Sequence, residues 1–302
     1  MTTGVVLAVA MALDALLGEP DILWRRLPHP AVLMGRAVGW FDKTLNSGRM
    51  RRAKGVVAIG VLSGMALLLG WVLSCLPLIV QAAIAAILLA QKSLVQHVQA
   101  VADALRLSTQ DGRTMVARIV SRDTSEMTPP DIARAAIESA AENLSDGVIA
   151  PAFWCLVAGL PGLILYKVVN TADSMIGYCT PRHEAFGWAA ARLDDVMNVI
   201  PARLTALMLA LAGGDGVTVA DVRGDARQHK SVNAGWPEAV MARVLGIALA
   251  GPRQYHGEMR ELPWVNSAGR RTAGPDDIDR SVTMLRRVWW LALTAALVIA
   301  IL

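Results

Sequence analysis

Residues 55–76 read GVVAIGVLSGMALLLGWVLSCL and contain no charged side chain. A helix of that length covers about 33 Å, enough to cross a hydrocarbon layer about 30 Å thick. Further apolar runs lie at 4–17, 78–90, 148–165, 196–211 and 288–302. The runs are continuous rather than alternating, which argues against a membrane barrel and for helices that satisfy their own backbone in lipid. Composition agrees: 54% of the residues are hydrophobic and only 18% are charged, against about 25% charged in a soluble domain. The expected fold class is therefore all-α, a polytopic integral membrane protein with about five or six spans.

The net charge of +4 reads as positive-inside loops. Arg49, Arg51, Arg52 and Lys54 have no acid beside them and mark the cytoplasmic side, as do Arg286 and Arg287. No basic stripe with interleaved aromatics occurs, so no nucleic-acid partner is expected. Cys75, Cys155 and Cys179 stand far apart, which supports neither a zinc site nor a disulfide framework. Trp71, Trp154, Trp289 and Trp290 flank apolar runs, as interfacial anchors do. Run 4–17 is short, is interrupted by Asp14 and lacks a basic leader, so it is expected as a retained helix. Asp14, Glu19, His29 and Arg36 are expected to face protein, and Pro20, Pro28 and Pro30 to break the segment between.

The chain is expected as one integral membrane domain with polar cytoplasmic segments near 91–147 and 213–287. Run 148–165 holds Pro151, Gly159, Pro161 and Gly162, so a broken or re-entrant helix is expected there. Polar motifs lie on both sides of it. A single site then requires that run to re-enter, or the motifs to meet within the membrane.

The acidic stretch 136–151, AIESAAENLSDGVIAP, carries Glu138, Glu142 and Asp146 at four-residue steps, which on a regular helix share one face. Like charges on one face repel, and a divalent cation or a basic substrate group removes that cost. Asn143 adds a neutral oxygen. In 167–178, Asn170 and Asp173 are three apart on one face. In 192–198, Asp194 and Asn198 are four apart, with Asp195 adjacent. Carboxylates against apolar flanks cost several kcal/mol unless partnered. They read either as Mg²⁺ ligands that hold a phosphorylated group, or as ion-pair partners of Lys167, Arg192 or Arg203. In 225–238, DARQHKSVNAGWPE, the run His229, Lys230, Ser231 and Asn233 reads either as an anion-contacting turn or as a solvated loop. Phosphate-loop, Rossmann and nucleophile-elbow patterns are missing.

These stretches resemble the adenosylcobinamide-phosphate synthases of cobalamin biosynthesis, the CbiB/CobD family. The matching segments are DALLGEP, HPAVLMGR, SRDTSEM, AIESAAENLSDGVIAPAFW, GLPGLILYKVVNTADSMIGY, FGWAAARLDDVMNVIPARLTA and DARQHKSVNAGWPEAVMA, in family order. Val232 departs from the family, which usually has proline there. The resemblance implies a multi-pass inner-membrane enzyme with a cytoplasmic active site. It would join (adenosyl)cobyric acid to aminopropanol or its phosphate as an amide, with ATP as cosubstrate and Mg²⁺ as metal. Partners consistent with it are the corrinoid, the amine, membrane lipid, a second copy of the chain and other membrane proteins of the pathway.

For that chemistry Glu142, Asp146, Asp173, Asp194 and Asp195 are the metal candidates. Arg122, Asn143, Lys167, Asn170, Arg192, Lys230, Ser231 and Asn233 are candidates for holding nucleotide or phosphate. Glu138, Glu142, Asp146, Lys167, Asp173, Arg192, His229 and Lys230 are the candidate catalytic set, with His229 or a spare carboxylate as the base for the attacking amine. The five metal candidates are expected in one cavity near His229 and Lys230. Two other classes fit parts of the pattern: an intramembrane prenyltransferase binding Mg²⁺-diphosphate, and a corrinoid transporter. HKSVNAGWPE and the LGEP…HP segment have no place in the first, and the motifs are too polar and clustered for a pore lining.

Overall fold

The computed structural model describes residues 2–18, 24–214, 217–255, 258–260 and 262–302. Glu19, expected to face protein, lies outside the described residues. In chain order the helices are α1 Thr2–Leu17, α2 Pro30–Leu45, α3 Arg51–Leu73, α4 Leu78–Leu88, α5 Gln91–Leu107, α6 Thr109–Val116 and α7 Pro129–Leu144. A π-helical turn, Ser145–Ile149, leads into α8 Ala150–Ile176, α9 Trp188–Gly213, α10 Val219–Gln228 and α11 Gly235–Leu245. The short strands β1 Leu249–Ala250 and β4 Trp264–Val265 pair antiparallel, as do β2 Arg253–Tyr255 and β3 Glu258–Arg260. Helix α12, Pro275–Ile301, ends the fold. Five stretches are long and apolar enough to cross a membrane: Arg51–Leu73, Leu78–Leu107, Pro129–Ile176, Trp188–Gly213 and Pro275–Ile301. The chain is a polytopic, all-α membrane protein.

Local sequence sets the helix ends. His29 caps α2 by accepting the Ala31 N–H at 3.2 Å, ahead of Pro30 at the first helical position. Ser108 and Thr218 cap α6 and α10 through the N–H groups of Asp111 and Asp221. Asp131 accepts the Thr128 N–H at 3.0 Å at the start of α7. The expected break falls inside α8, at Ala158 (φ −135°, ψ 16°) and Gly159 (φ 62°, ψ −151°), just before Pro161. A left-handed φ is the reason for glycine there. The sequence reading placed the last helix at 288–302. It starts at Pro275 instead, because Asp277 accepts the Gly274 N–H at 2.9 Å and so fixes a polar first turn.

The chain divides into two compact units, each described by itself. The first comprises Met1–Ala90, Ala150–Val199 and Ala295–Leu302. Here α3 lies along α8 and the loop after it: a Cβ on Gly70 would meet the Pro161 backbone of α8, and one on Gly55 the Phe186 carbonyl oxygen of the loop. A cluster of Ala150, Tyr166, Val169 and Met197 is packed under Trp154, Leu165 and Leu193. The opposite side of α3 presents Val57, Val61, Met65, Leu68 and Trp71, all exposed, as a lipid-facing side would. Asp14 is buried as expected, but Arg36 is exposed, contrary to expectation. It lies on the outer side of a helix whose inner side presents Val38 and Asp42.

The second unit comprises Gln91–Ile149 and Ile200–Thr294, and so holds both polar stretches, 91–147 and 213–287. Its centre is α7, whose Ile132, Ala133, Ala135, Ala136, Ile137, Ala140, Ala141 and Leu144 are fully buried. Small side chains let neighbouring helices approach closely. The Ser139 hydroxyl ties α7 to the Ile119 carbonyl at 2.8 Å.

Candidate functional site

In the first unit a polar chain crosses the interior of the apolar bundle. The Tyr166 hydroxyl donates to Asn198 Oδ1 at 3.0 Å. Asn198 Nδ2 donates to Asp194 Oδ2 at 3.0 Å, and Asn170 Nδ2 to Asp194 Oδ1 at 3.3 Å. Tyr166, Asn198 and Asp194 are all buried. Among the described residues no Lys, Arg or His pairs with Asp194. Two neutral amides hold a carboxylate in place, and its charge is left for something else to balance. Asp195, adjacent but turned outward, pairs instead with Arg192 at 3.0 Å. Asp173 is half-buried at the end of α8. Its carboxylate lies where a side chain on Gly177 would be, since a Cβ there would stand 2.0 Å from Asp173 Oδ1. Lys167 is half-buried on the same helix.

A second cluster of that unit straps the 178–187 loop to α2 and α3. Asp42 receives Arg182 Nη2 at 2.6 Å and Asn46 Nδ2 at 2.7 Å, with His183 Nε2 at 3.4 Å. Arg51 Nε donates to Asn46 Oδ1 at 2.7 Å and its fork reaches the Pro181 and Arg182 carbonyls. Burial pulls the Asp42 carboxyl upward, but the Asn46 and Arg182 hydrogen bonds and the Arg182 and His183 charges outweigh it and hold it below the usual aspartate range.

In the second unit the acidic stretch does not act as one set. Glu138 is buried and pairs with Arg122 Nη2 at 2.7 Å, while its other oxygen takes the Ala250 N–H at 2.7 Å. Glu142 is exposed and Asp146 half-buried. The physical reason is twofold. Arg122 and the β1 backbone draw Glu138 inward, and the π turn at Ser145–Ile149 widens the helix under Asp146, so a regular four-residue step no longer applies. Asn143 is exposed and donates back to the Ser139 carbonyl at 2.9 Å.

The 229–238 turn is also ordered. His229 Nδ1 accepts the Ser231 N–H at 3.0 Å, and Nε2 lies 3.5 Å from the buried carboxylate of Glu238. His229 thus links the backbone of the turn to the Glu238 carboxylate. The Ser231 hydroxyl accepts the Asn233 and Ala234 N–H groups at 3.2 and 3.1 Å, and Asn233 Oδ1 takes Arg203 Nη1 at 3.1 Å. Gly235 is required by packing, since a Cβ would meet His229 Cβ at 2.6 Å. Lys230 is exposed. Among the described residues no three His, Cys, Asp or Glu side chains of either unit form a metal cage.

The family model described as CobD/Cbib protein matches residues 7–285. The chain belongs to the CobD/Cbib family. It is 46% identical to the cobalamin biosynthesis protein CobD of Brucella suis biovar 1 (strain 1330), over 98% of this chain and 96% of that one. It is 48% identical to the protein of the same name from Sinorhizobium fredii, over 93% and 92%, and 43% identical to that of Rhodobacter capsulatus, over 95% and 94%. No solved structure matches. Membership in the CobD/Cbib family gives the chain a role in cobalamin biosynthesis.

Several polar residues of this CobD/Cbib chain were not singled out from sequence. Tyr166 was hidden in an apolar run, although it stands four residues before Asn170. Asp42, Asn46 and Arg182 are far apart in sequence and carry no motif. Glu238 closes the 229–238 stretch, and nothing in the sequence pairs it with His229. Trp264 lies between two guanidinium groups, Arg134 at 5.2 Å and Arg271 at 4.8 Å from its ring centre.

Proposed function

We propose that the chain is a carbon–nitrogen ligase that joins a carboxyl of (adenosyl)cobyric acid to aminopropanol or its phosphate, using ATP and Mg²⁺. The structural observation that best supports this is Asp194, a buried carboxylate held by two neutral amides with no cationic partner among the described residues. A carboxylate does not condense with an amine unaided, because its charge repels the nucleophile and its oxygen leaves poorly. Transfer of a phosphoryl group from ATP to that oxygen removes both obstacles. The amine nitrogen then attacks the acyl carbon, phosphate departs with the oxygen, and a proton leaves the nitrogen for a base.

Phosphoryl transfer requires charge neutralisation around the phosphate oxygens. The residues present fit Mg²⁺, which takes one or two carboxylates and completes its shell with water and substrate phosphate. Asp194 would hold it, with the Asn170 carbonyl oxygen left for the ion because its amide N–H serves Asp194. Asp173, Glu142 and Asp146 remain candidates, as does Asp195 once released from Arg192. Bound Mg²⁺ would screen the phosphate oxygens during transfer. Lys167 and Lys230 are the side chains proposed to meet phosphate. Arg122, Arg192 and His229 act by holding Glu138, Asp195 and Glu238. Mass spectrometry of products from detergent-purified protein given cobyric acid, ATP, Mg²⁺ and each amine in turn tests the assignment. A new amide mass that requires ATP is expected. Diphosphate release from a prenyl donor, or corrinoid uptake by cells without amide formation, would replace it.

The active side is proposed to be cytoplasmic in an inner membrane, on the basic bias of 49–54 and 286–287. Arg49 and Arg286 are exposed, so cysteines placed there report the side without disturbing the Arg51 strap. Impermeant maleimide should label Arg49→Cys and Arg286→Cys only after cells are opened. Labelling of either in intact cells would reverse the orientation.

A further inference from the structure

The second unit contains a cavity of about 230 Å³ beside the start of α7. A cavity of that volume has room for a small molecule. Four carboxylates line it, Asp123, Glu126, Asp131 and Glu138, against two guanidinium groups, Arg122 and Arg134. Both guanidinium groups already hold carboxylates of the wall: Arg122 pairs with Glu138 at 2.7 Å, and Arg134 with Asp131. Arg134 also donates to the Arg271 carbonyl at 3.0 Å. Asp131 caps α7 through Thr128, and Asp123 Oδ1 accepts the Ser125 N–H at 2.9 Å. Glu126 has no hydrogen bond or ion pair among the described residues. Met127 and Pro252 give the cavity an apolar wall.

Among the described lining residues carboxylates outnumber guanidinium groups and Glu126 is unengaged, a balance that attracts cations to a concave site. A carboxylate beside the apolar wall of Met127 and Pro252 suits an ammonium on a short carbon chain. We propose that this cavity binds the small amine substrate by its primary ammonium group, with Glu126 receiving it and Met127 and Pro252 flanking the carbon chain. The identity of the amine rests on the ligase reading above. What is added is the surface that takes the amine and the group by which it is recognised.

The test uses the detergent-purified full chain without ATP. Calorimetry is run with 1-amino-2-propanol and, separately, with its O-phosphate, on wild type and on Glu126→Gln. Cobyric acid binding to both proteins is followed by visible absorbance. Glu126→Gln should weaken one or both amines tenfold or more, with corrinoid binding and thermal unfolding unchanged, because Glu126 is exposed and holds no other of the described residues. Equal amine binding in the two proteins overturns the proposal, as does a wild type that binds neither amine. The two readings fail differently. If the wild type makes amide while Glu126→Gln binds amine normally, the cavity assignment falls and the ligase reading stands. If Glu126→Gln loses amine binding but the wild type makes no amide, the cavity assignment stands and the ligase reading falls.

Discussion

Replacing Glu138 with alanine is expected to destabilise the second unit by about 3–5 kcal/mol, the usual cost of stranding one member of a buried ion pair. Glu138 is 4% exposed and the side chain of Arg122 17%. Truncation takes the carboxylate away from a half-buried guanidinium. It also leaves the Ala250 N–H without an acceptor, at about 1–3 kcal/mol if water does not reach it. Ala250 sits at φ 57°, a left-handed conformation that costs a residue with a Cβ about 1–2 kcal/mol, and the Glu138 hydrogen bond helps to hold it there. Thermal unfolding in detergent should therefore show a large loss for Glu138→Ala, and a smaller one for Glu138→Gln, which keeps an oxygen for Ala250. The double variant Glu138→Ala with Arg122→Ala should recover part of the loss, since the guanidinium is removed together with its carboxylate. Additive losses would show that the pair is not coupled. A normally stable but inactive Glu138→Ala would move Glu138 from the framework to the chemistry.

The fate of Glu138 shows where sequence reading reaches and where it stops. Spacing put three carboxylates on one face of a regular helix, but the α-helix ends at Leu144 and Asp146 lies in the π turn that follows, and spacing carries no record of which neighbour reaches in. Arg122 is sixteen residues from Glu138 and Ala250 more than a hundred. The membrane fold was legible because hydrophobic length is a local property: 55–76 reads as a span whatever surrounds it. The break in α8 was legible for the same reason, as Gly159 and Pro161 announce it. The early start of α12 was not, because an acidic first turn reads as loop until Asp277 is seen capping it. The strap from Asp42 to Arg182 joins residues 140 apart, and only the packing of α2 against the chain after α8 brings them together.

For Asp194 the sequence suggested two roles, metal ligand or ion-pair partner, and the structure bears on both. An ion-pair partner is missing among the described residues, while two amide donors hold the carboxylate on either oxygen. Asp194→Asn is therefore expected to leave the fold nearly intact. The new amide faces one donor with its own N–H, but Asn170 makes only that bond among the described residues and can turn its carbonyl to meet it, which avoids a stranded donor. What disappears is the charge. If that charge holds Mg²⁺ against the substrate phosphates, amide formation should fall at least about a hundredfold, or about 2.7 kcal/mol of transition-state stabilisation. Raising Mg²⁺ should return part of the rate by mass action. Asp195→Asn provides the contrast, since the ion pair it breaks, with a largely exposed Arg192, is worth under about 1 kcal/mol. Rate against Mg²⁺ and thermal stability, measured on both variants, separate the roles. An Asp194→Asn protein that unfolds early at every Mg²⁺ concentration would make the carboxylate a structural element of the Tyr166–Asn198 chain. One that is stable, active and unchanged in its Mg²⁺ dependence would show that the charge at the centre of this bundle is balanced by something other than a metal ion.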